Sequence, residues 1–238
     1  MVWVGYGSKI YGVMFAAHIG GIISQRDPWF SSVSLLLHGN GSLVDSSANN
    51  FTVTAFDGLT TTMADPKYGT GCFINASGYL RIAPAGALNL TSAPFTIELW
   101  FRVSGSSSYQ LLVLQDDLVS DNQAFQFRLS LTGKVEFIYF TTSSRASAVT
   151  LTGTSTISLG SWNHAAVSWD GSSVRIFLNG AVEVTSACSS MYSNTLETCI
   201  GGANHYYPLV GRFDDVRITK GVCRYTAAFT PPGPCPDA

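Results

Sequence analysis

Short segments with strand periodicity, separated by turn residues, run through most of this sequence, and they limit the possible folds more than any other feature. The clearest segment is Phe95–Val103. Its apolar residues recur at every second position, which places Phe95, Ile97, Leu99, Phe101 and Val103 on one face. Glu98 and Arg102 share the opposite face. A two-residue period of this kind predicts a β-strand with one face in a core.

The same reading applied to the whole chain predicts an all-β protein. No segment shows sustained helical periodicity, and β-branched and aromatic residues dominate. Asp170-Gly171 and Asn179-Gly180 predict tight hairpin turns, and residues 76–78 predict another hairpin. This combination predicts an antiparallel β-sandwich of jelly-roll type. The predicted strands are residues 34–38, 51–54, 72–75, 79–82, 95–103, 109–115, 124–131, 134–140, 162–169, 174–178, 181–185, 196–200 and 211–219.

Composition and charge narrow the function classes. The net charge is -2 and the Lys and Arg residues are scattered singly. Nucleic acid is therefore not a predicted partner, because phosphate binding needs a clustered basic surface. No apolar run is long enough to span a bilayer, so we predict no membrane span.

Residues 1–26 form an apolar, Gly-rich segment that differs from the rest of the chain. A secretory signal would have a basic region before its apolar part, and here only Lys9 precedes residues 11–23. A cleaved signal is one interpretation. The other, which we prefer, is an extended arm that packs on a partner subunit. The apolar surface of such an arm predicts a homo-oligomer.

The five cysteines allow two interpretations. Cys188 with Cys199, and Cys223 with Cys235, flank short loops that a disulfide would close in an oxidising medium. The alternative is five free thiols that behave as small hydrophobic residues. Cys72 stays unpaired in both interpretations.

Several segments resemble laminin-G-like, concanavalin A-like domains. They are WNHAAVSWDGSSVRIFLNGAVE (162–183), KYGTGCFINASGYLRI (67–82) and PFTIELWFRV (94–103). Two further segments resemble the versions found in phage tail and virion proteins: DPWFSSVSLLLHGNGSLVDSS (27–47) and GRFDDVRITKGVCRYTAAFTPP (211–232). The resemblance implies a sandwich over residues 27–232, preceded by the 1–26 arm and followed by a Pro-rich tail at 233–238.

The resemblance also implies a function. It favours a non-enzymatic virion structural protein, a tail or capsid decoration or fibre component on the particle surface. Its arm would contact other virion proteins, and its lectin-like sandwich would contact host glycans. The alternatives are a secreted or cell-surface carbohydrate-binding adhesin, located extracellularly, and, less favoured, a glycoside hydrolase.

Catalytic patterns are missing from the sequence. Glucanases of this fold place acids two residues apart on one strand, so that the carboxylates share a cleft. None of the four Glu residues has another acid at that spacing. Adjacent pairs such as Asp116-Asp117 and Asp214-Asp215 point to opposite faces of a strand. The four His residues are isolated, and no nucleophile elbow occurs. We therefore predict no enzymatic activity.

A structural Ca²⁺ is implied by the resemblance, because related sandwiches often hold one against the closing strand. The matching positions are Asp214, or Asp215 as its neighbour, together with Asp45 in the segment VDSSANN. Carboxylate oxygens suit Ca²⁺. The alternative is that Asp45 caps a turn and Asp214 pairs with Arg217 or Arg212.

Two loops are candidates for glycan binding. One contains Asn204, His205, Tyr206 and Tyr207, which combine aromatic faces for stacking with hydrogen-bonding groups. The other contains Asp116 and Asp117 and continues to Asn122. The alternative for Tyr206 and Tyr207 is that they pack on neighbouring subunits or cover a sheet edge.

Overall fold

A computed structural model describes residues 26–116, 118 and 120–237 of the chain. Within them, fifteen β-strands form two antiparallel sheets, which confirms the predicted sandwich. The strands are β1 Val33–Leu37, β2 Val53–Phe56, β3 Thr60–Thr62, β4 Cys72–Asn75, β5 Tyr79–Ile82, β6 Phe95–Val103, β7 Gln110–Asp116, β8 Gln123–Leu129, β9 Lys134–Phe140, β10 Ala148–Thr156, β11 Asn163–Trp169, β12 Ser173–Leu178, β13 Ala181–Ala187, β14 Thr198–Ile200 and β15 Gly211–Lys220.

The eight-stranded sheet has the order β13-β12-β11-β6-β15-β4-β3, with β1 also paired to β15. The seven-stranded sheet has the order β10-β9-β8-β7-β14-β5-β2. Short 3-10 turns at Phe30–Ser32, Gly86–Leu88, Leu90–Ser92 and Arg145–Ser147 connect some of the strands. The predicted arm lies outside the described residues, apart from Arg26. No helix among the residues that the structure describes is long and apolar enough to cross a membrane.

The core lies between the two sheets and contains the residues that the strand periodicity predicts. All five apolar residues of the β6 face are in it, each at most 1% exposed. From the opposite sheet, Phe125, Phe127 and Phe137 pack into the same cluster, with Phe125 and Phe137 6.5 and 6.1 Å from Phe95 between ring centroids. Aromatic burial of this kind is a large part of the driving force for folding.

The hairpin predicted at Asn179-Gly180 is confirmed. It joins β12 to β13, and both turn residues have positive φ, 51° and 82°. A two-residue type I′ turn requires positive φ at both positions, which Asn and Gly adopt most easily. The hairpin predicted at Asp170-Gly171 is confirmed as well, because β11 and β12 pair directly.

The hairpin predicted at residues 76–78 is wrong. β4 belongs to the eight-stranded sheet and β5 to the seven-stranded sheet, so this turn carries the chain from one sheet to the other. The amide of Asn75 holds the crossing: its Nδ2 donates to the carbonyls of Gly78 and Gly201, both at 2.7 Å, and its Oδ1 accepts from Gly78 N. Gly78 lies so close to Phe56 that a Cβ would be 2.1 Å from the Phe56 carbonyl oxygen.

The sequence pattern does not predict two of the strands, β3 and β10. β10 is an edge strand rich in Thr, and only Leu151 and Gly153 are buried among its nine residues. Its polar composition hides a weak alternation of Val149 and Leu151 with Thr150 and Thr152. Such a strand is recognisable mainly by its pairing with β9.

Residues 222–237, here called the C-terminal segment, lie on the outer face of the eight-stranded sheet and form no strand, as their prolines predict. Phe229 N donates to Gly180 O at 2.9 Å. Tyr225 and Phe229 stack with centroids 3.6 Å apart, and both rings contact Phe177 of β12. The segment includes residues 233–237, where Cys235 is buried against Val33 and Leu36.

The cysteines are free in the structure, and neither predicted disulfide forms. Cys188 packs in the central core, whereas Cys199 lies in a separate cluster on the outer face of the seven-stranded sheet. Cys235 packs near β1, in a third cluster. Burial raises the thiol pKa of Cys199 to about 12, which is expected of a thiol held as a hydrophobic residue.

Candidate functional site

The tyrosine loop, residues 201–210 between β14 and β15, presents a small hairpin to solvent. Ala203 and Tyr206 exchange two backbone hydrogen bonds, at 3.2 and 2.7 Å. The two residues between them, Asn204 and His205, have φ of 45° and 70°, as a type I′ turn requires. Tyr207 also has positive φ, at 49°. Three of the four residues 204–207 are therefore non-glycine residues with positive φ, a kind of backbone strain that concentrates at functional sites.

Both tyrosines of this loop are exposed, Tyr206 at 47% and Tyr207 at 41%. Their ring centroids are 6.3 Å apart with planes tilted by 45°. Tyr109 contacts Tyr207 edge-on at 5.8 Å. The side chain of His205 is 73% exposed, and its Nδ1 is 3.2 Å from Asp57 Oδ2. Aromatic faces therefore lie beside hydrogen-bonding groups at the surface.

A second hydrophobic cluster holds the tyrosine loop in place. It consists of Tyr79, Leu111, Leu114, Cys199 and Ala203 on the outer face of the seven-stranded sheet, with Phe56 and Leu118 packed against it. The backbone of the loop is also tied to the sheet, because Leu111 N donates to Tyr207 O at 2.8 Å. The exposed rings thus stand on a buried support.

Hydrogen-bonded polar side chains lie next to the tyrosine loop on the outer face of the seven-stranded sheet. The guanidinium of Arg128 lies 4.1 Å from the ring centroid of Tyr109. Its Nε donates to Glu136 at 2.9 Å, and its Nη1 donates to Gln126 Oε1 at 3.2 Å. Glu136 in turn accepts from the hydroxyl of Thr152 at 3.0 Å. These bonds fix the side chains before any ligand arrives.

The second predicted loop lies at the other end of β7. Asp116 ends this strand, whereas Leu111, which holds Tyr207, is near its start. Five residues of strand separate the two loops by about 16 Å, so they do not form one compact site. Asp116 accepts from Gln126 Nε2 at 2.5 Å and from Arg145 Nη2 at 3.0 Å. Asp117 lies outside the described residues.

The three residues predicted to hold calcium are occupied by protein donors. Asp45 accepts from the backbone of Leu36, Ser47 and Phe51, so it caps the turn. Asp214 accepts from Lys67 N at 2.9 Å, Tyr68 N at 3.1 Å and Asp215 N at 2.9 Å, not from an arginine.

Asp215 pairs with His38 Nδ1 at 2.6 Å and accepts from Cys235 N at 2.8 Å. N–H groups aimed at these oxygens take the place of a cation, so the donor set does not fit Ca²⁺. Among the described residues, no group of three or more His, Cys, Asp or Glu side chains could hold a metal ion. Calcium is thus implied by the resemblance alone, and the contacts of Asp45, Asp214 and Asp215 do not support it.

The sequence pattern does not predict a buried ionic network that the structure shows on the outer face of the eight-stranded sheet. Glu98 of β6 is 1% exposed and pairs with Arg217 of β15 at 2.7 Å. Arg217 also bonds Asp27, which accepts two bonds from Arg224 of the C-terminal segment, at 2.9 and 2.7 Å. Tyr225 donates to Glu98 at 2.8 Å. The network fastens the C-terminal segment and residue 27 to the sheet.

The two sheets and their connections define the class of this protein, a lectin-like jelly roll. The sequence profile of the concanavalin A-like lectin/glucanases superfamily matches residues 75–224, which is more than half of the chain. The chain belongs to that superfamily. No curated protein matches the sequence.

Solved structures with this fold include two binding domains and one domain of an arabinanase. The binding domain of Paraclostridial Mosquitocidal Protein 1 is 15% identical, with a TM-score of 0.64 over 85% of this chain and 50% of that chain. The botulinum neurotoxin serotype D binding domain is 13% identical, with a TM-score of 0.63 over 82% and 49%. This chain therefore spans about half the length of these two.

Domain 4 of AbnA, a GH43 extracellular arabinanase from Geobacillus stearothermophilus solved in complex with arabinotriose, is 15% identical, with a TM-score of 0.62. The match covers 81% of this chain and 94% of that domain. Identities this low establish a shared fold.

Proposed function

We propose that this chain is a non-enzymatic carbohydrate-binding module whose ligand contacts the tyrosine loop. The exposed pair Tyr206 and Tyr207, held in a strained turn on a buried support, is the observation that carries the proposal. Sugar rings stack on aromatic faces through their C–H groups, while their hydroxyls need donors and acceptors nearby. His205, Asp57 and Arg128 supply these.

The carboxylates favour binding over hydrolysis. A glycosidase needs one carboxylic acid and one carboxylate free to act on the same bond. Here each of the four Glu residues has protein partners: Glu98 with Arg217, Glu136 with Arg128, Glu197 with Arg81, and Glu183 with the backbone of Thr154 and Ser155.

A glycan-array screen of the purified protein, followed by titration of the best ligand, tests the proposal. Tyr206→Ala and Tyr207→Ala should each weaken binding about tenfold or more, because each removes a stacking face. Met63→Ala is the matched control, since Met63 is 76% exposed and belongs to another loop. The proposal fails if a folded sample binds no glycan, or if the tyrosine variants bind as well as Met63→Ala.

We further propose that the module is part of a virion, fixed in a tail or capsid by residues 1–26 as a homo-oligomer and exposed to host glycans. The two segments that resemble virion proteins support this, because they are adjacent in the fold: β1 pairs with β15, and Asp27 binds Arg217 at 3.1 Å. A secreted or cell-surface adhesin is the alternative.

Deletion of residues 1–26 separates the two locations. Loss of incorporation into particles, with glycan binding retained, is the expected result. Unchanged incorporation would refute the anchoring role of the arm, and absence of the full chain from purified particles would favour the adhesin.

A further inference from the structure

We infer that the ligand of the tyrosine loop is a neutral glycan rather than a sialylated, uronic acid-containing or sulfated one. This inference rests on the proposed function and adds the chemical class of the ligand. The inference comes from the charged side chains around the loop, because almost all of them are paired with an opposite charge of the protein itself.

Three arginines on the outer face of the seven-stranded sheet and in its loops, and His205 of the tyrosine loop, each have a carboxylate partner. Arg128 lies 2.9 Å from Glu136, and Arg145 lies 3.0 Å from Asp116. The other two pairs are Arg81 with Glu197 at 3.6 Å and His205 with Asp57 at 3.2 Å. An acidic sugar would have to compete with a carboxylate at each of these positions.

Arg128, which contacts Tyr109 beside the exposed tyrosines, shows most clearly why an acidic sugar would bind poorly here. A guanidinium recognises a carboxylate or sulfate through parallel N–H donors of its planar fork. In Arg128 the Nε donor is committed to Glu136 and the Nη1 donor to Gln126, while the guanidinium stacks on Tyr109. The side chain is only 15% exposed, so an incoming anion would meet a neutralised charge beside the carboxylate of Glu136.

A neutral sugar meets no such conflict. Its hydroxyls can donate to the carboxylates of Asp57 and Glu136 and accept from His205, without breaking an ion pair. Its apolar face can stack on Tyr206 or Tyr207. Paired charges serve as fixed hydrogen-bonding groups for hydroxyls, because each carboxylate has lone pairs beyond those used by its arginine.

Among the described residues on this face of the sheet, Lys134 is the one cation that could favour an acidic glycan. It precedes Glu136 by two residues on β9 and therefore shares its face, and the described residues provide it with no ion pair. It lies about 7 Å along the strand from Glu136, toward the β8–β9 turn. An acidic glycan that bound here would depend on Lys134, which makes this residue the discriminating variant.

The test compares matched glycan pairs that differ only in a terminal acidic group, using the full chain and the Lys134→Gln variant. The neutral member should bind at least about tenfold more tightly, because the added anion faces carboxylates. Its affinity should change less than about twofold between low and high salt, since no net charge is neutralised. Lys134→Gln should leave this affinity unchanged.

The inference is overturned if the acidic member binds more tightly and its affinity falls with salt and in Lys134→Gln. In that outcome Tyr206→Ala and Tyr207→Ala still weaken binding, so the proposed function stands. Absence of binding to either member, or to any other glycan, from a folded sample overturns the proposed function together with the inference.

Discussion

Replacement of Glu98 by Gln tests whether the buried ionic network holds the C-terminal segment on the sheet. Glu98 is 1% exposed and bonds Arg217, Tyr225 and His164. Gln keeps the size of the side chain and removes its charge, which leaves Arg217 with Asp27 as its remaining carboxylate. Breaking one partner of a buried pair is strongly destabilising, because the other charge stays buried.

The magnitude follows from the pKa of Glu98. Burial alone would raise this pKa, but the charge of Arg217 and the hydrogen bonds from His164 and Tyr225 lower it from 4.5 to about 2. A difference of about 2.5 units corresponds to about 3 kcal/mol of stability at neutral pH. For a chain of this size, that equals a fall in Tm of about 6–12 °C.

The pH dependence has a definite sign. Because the pKa is lower in the folded state, the stabilisation is complete above about pH 4.5 and is lost as pH falls toward 2. The difference between the wild type and Glu98→Gln, measured by urea unfolding, should be about 3 kcal/mol at pH 7 and about 1–2 kcal/mol at pH 3.

Glu197→Gln is the matched control. Its partner is Arg81 at 3.6 Å, both side chains are 43% exposed, and such pairs contribute less than about 1 kcal/mol. Equal losses in the two variants, or a loss in Glu98→Gln that does not shrink at low pH, would refute the reasoning.

Two predictions concern His38 and calcium. Burial lowers the pKa of His38, but Asp215 and Asp237 outweigh this effect and raise the pKa to about 9. The protonated His38 should therefore stabilise the fold by about 1–2 kcal/mol after screening. In urea titrations this stabilisation should be complete below about pH 6.5 and disappear as the pH rises through 9, and a His38→Gln variant that lost the same stability at every pH in this range would contradict the prediction. Because backbone N–H groups occupy Asp45 and Asp214, Tm should be the same in Ca²⁺ and in EDTA, and a Tm that rises with Ca²⁺ would show that the carboxylates rearrange around the ion.

Most of the fold could be predicted because strand periodicity is local. The bounds predicted for β6 are those of the structure, and the apolar face predicted for it lies in the core. The crossing at residues 76–78 could not be predicted, since an Asn-Ala-Ser-Gly turn suits a hairpin as well as a change of sheet. The deciding bond, from Asn75 to Gly201, joins residues 126 apart.

The residue types of the candidate site could be predicted from the sequence, but the residues that surround them in space could not. The aromatic and polar residues of the tyrosine loop stood out in the sequence, and the structure exposes them. Their neighbours Tyr109, Arg128 and Asp57 come from three other segments and have no local pattern that marks them. The ionic network was hidden for the same reason, because Asp27 and Arg224 are 197 residues apart.

The position of the two ends of the described chain determines how the tyrosine loop can be displayed. Asp27 and Asp237 both lie on the side of the eight-stranded sheet, Asp27 against Arg224 and Asp237 against His38 of the β1 edge. Tyr206 and Tyr207 lie in the loop that follows β14 of the other sheet, next to Ala203 of the cluster on the outer face of that sheet. A scaffold attached at either end would therefore contact the side of the eight-stranded sheet and leave the tyrosines free of it. Many copies on one surface could then bind ligands at the same time.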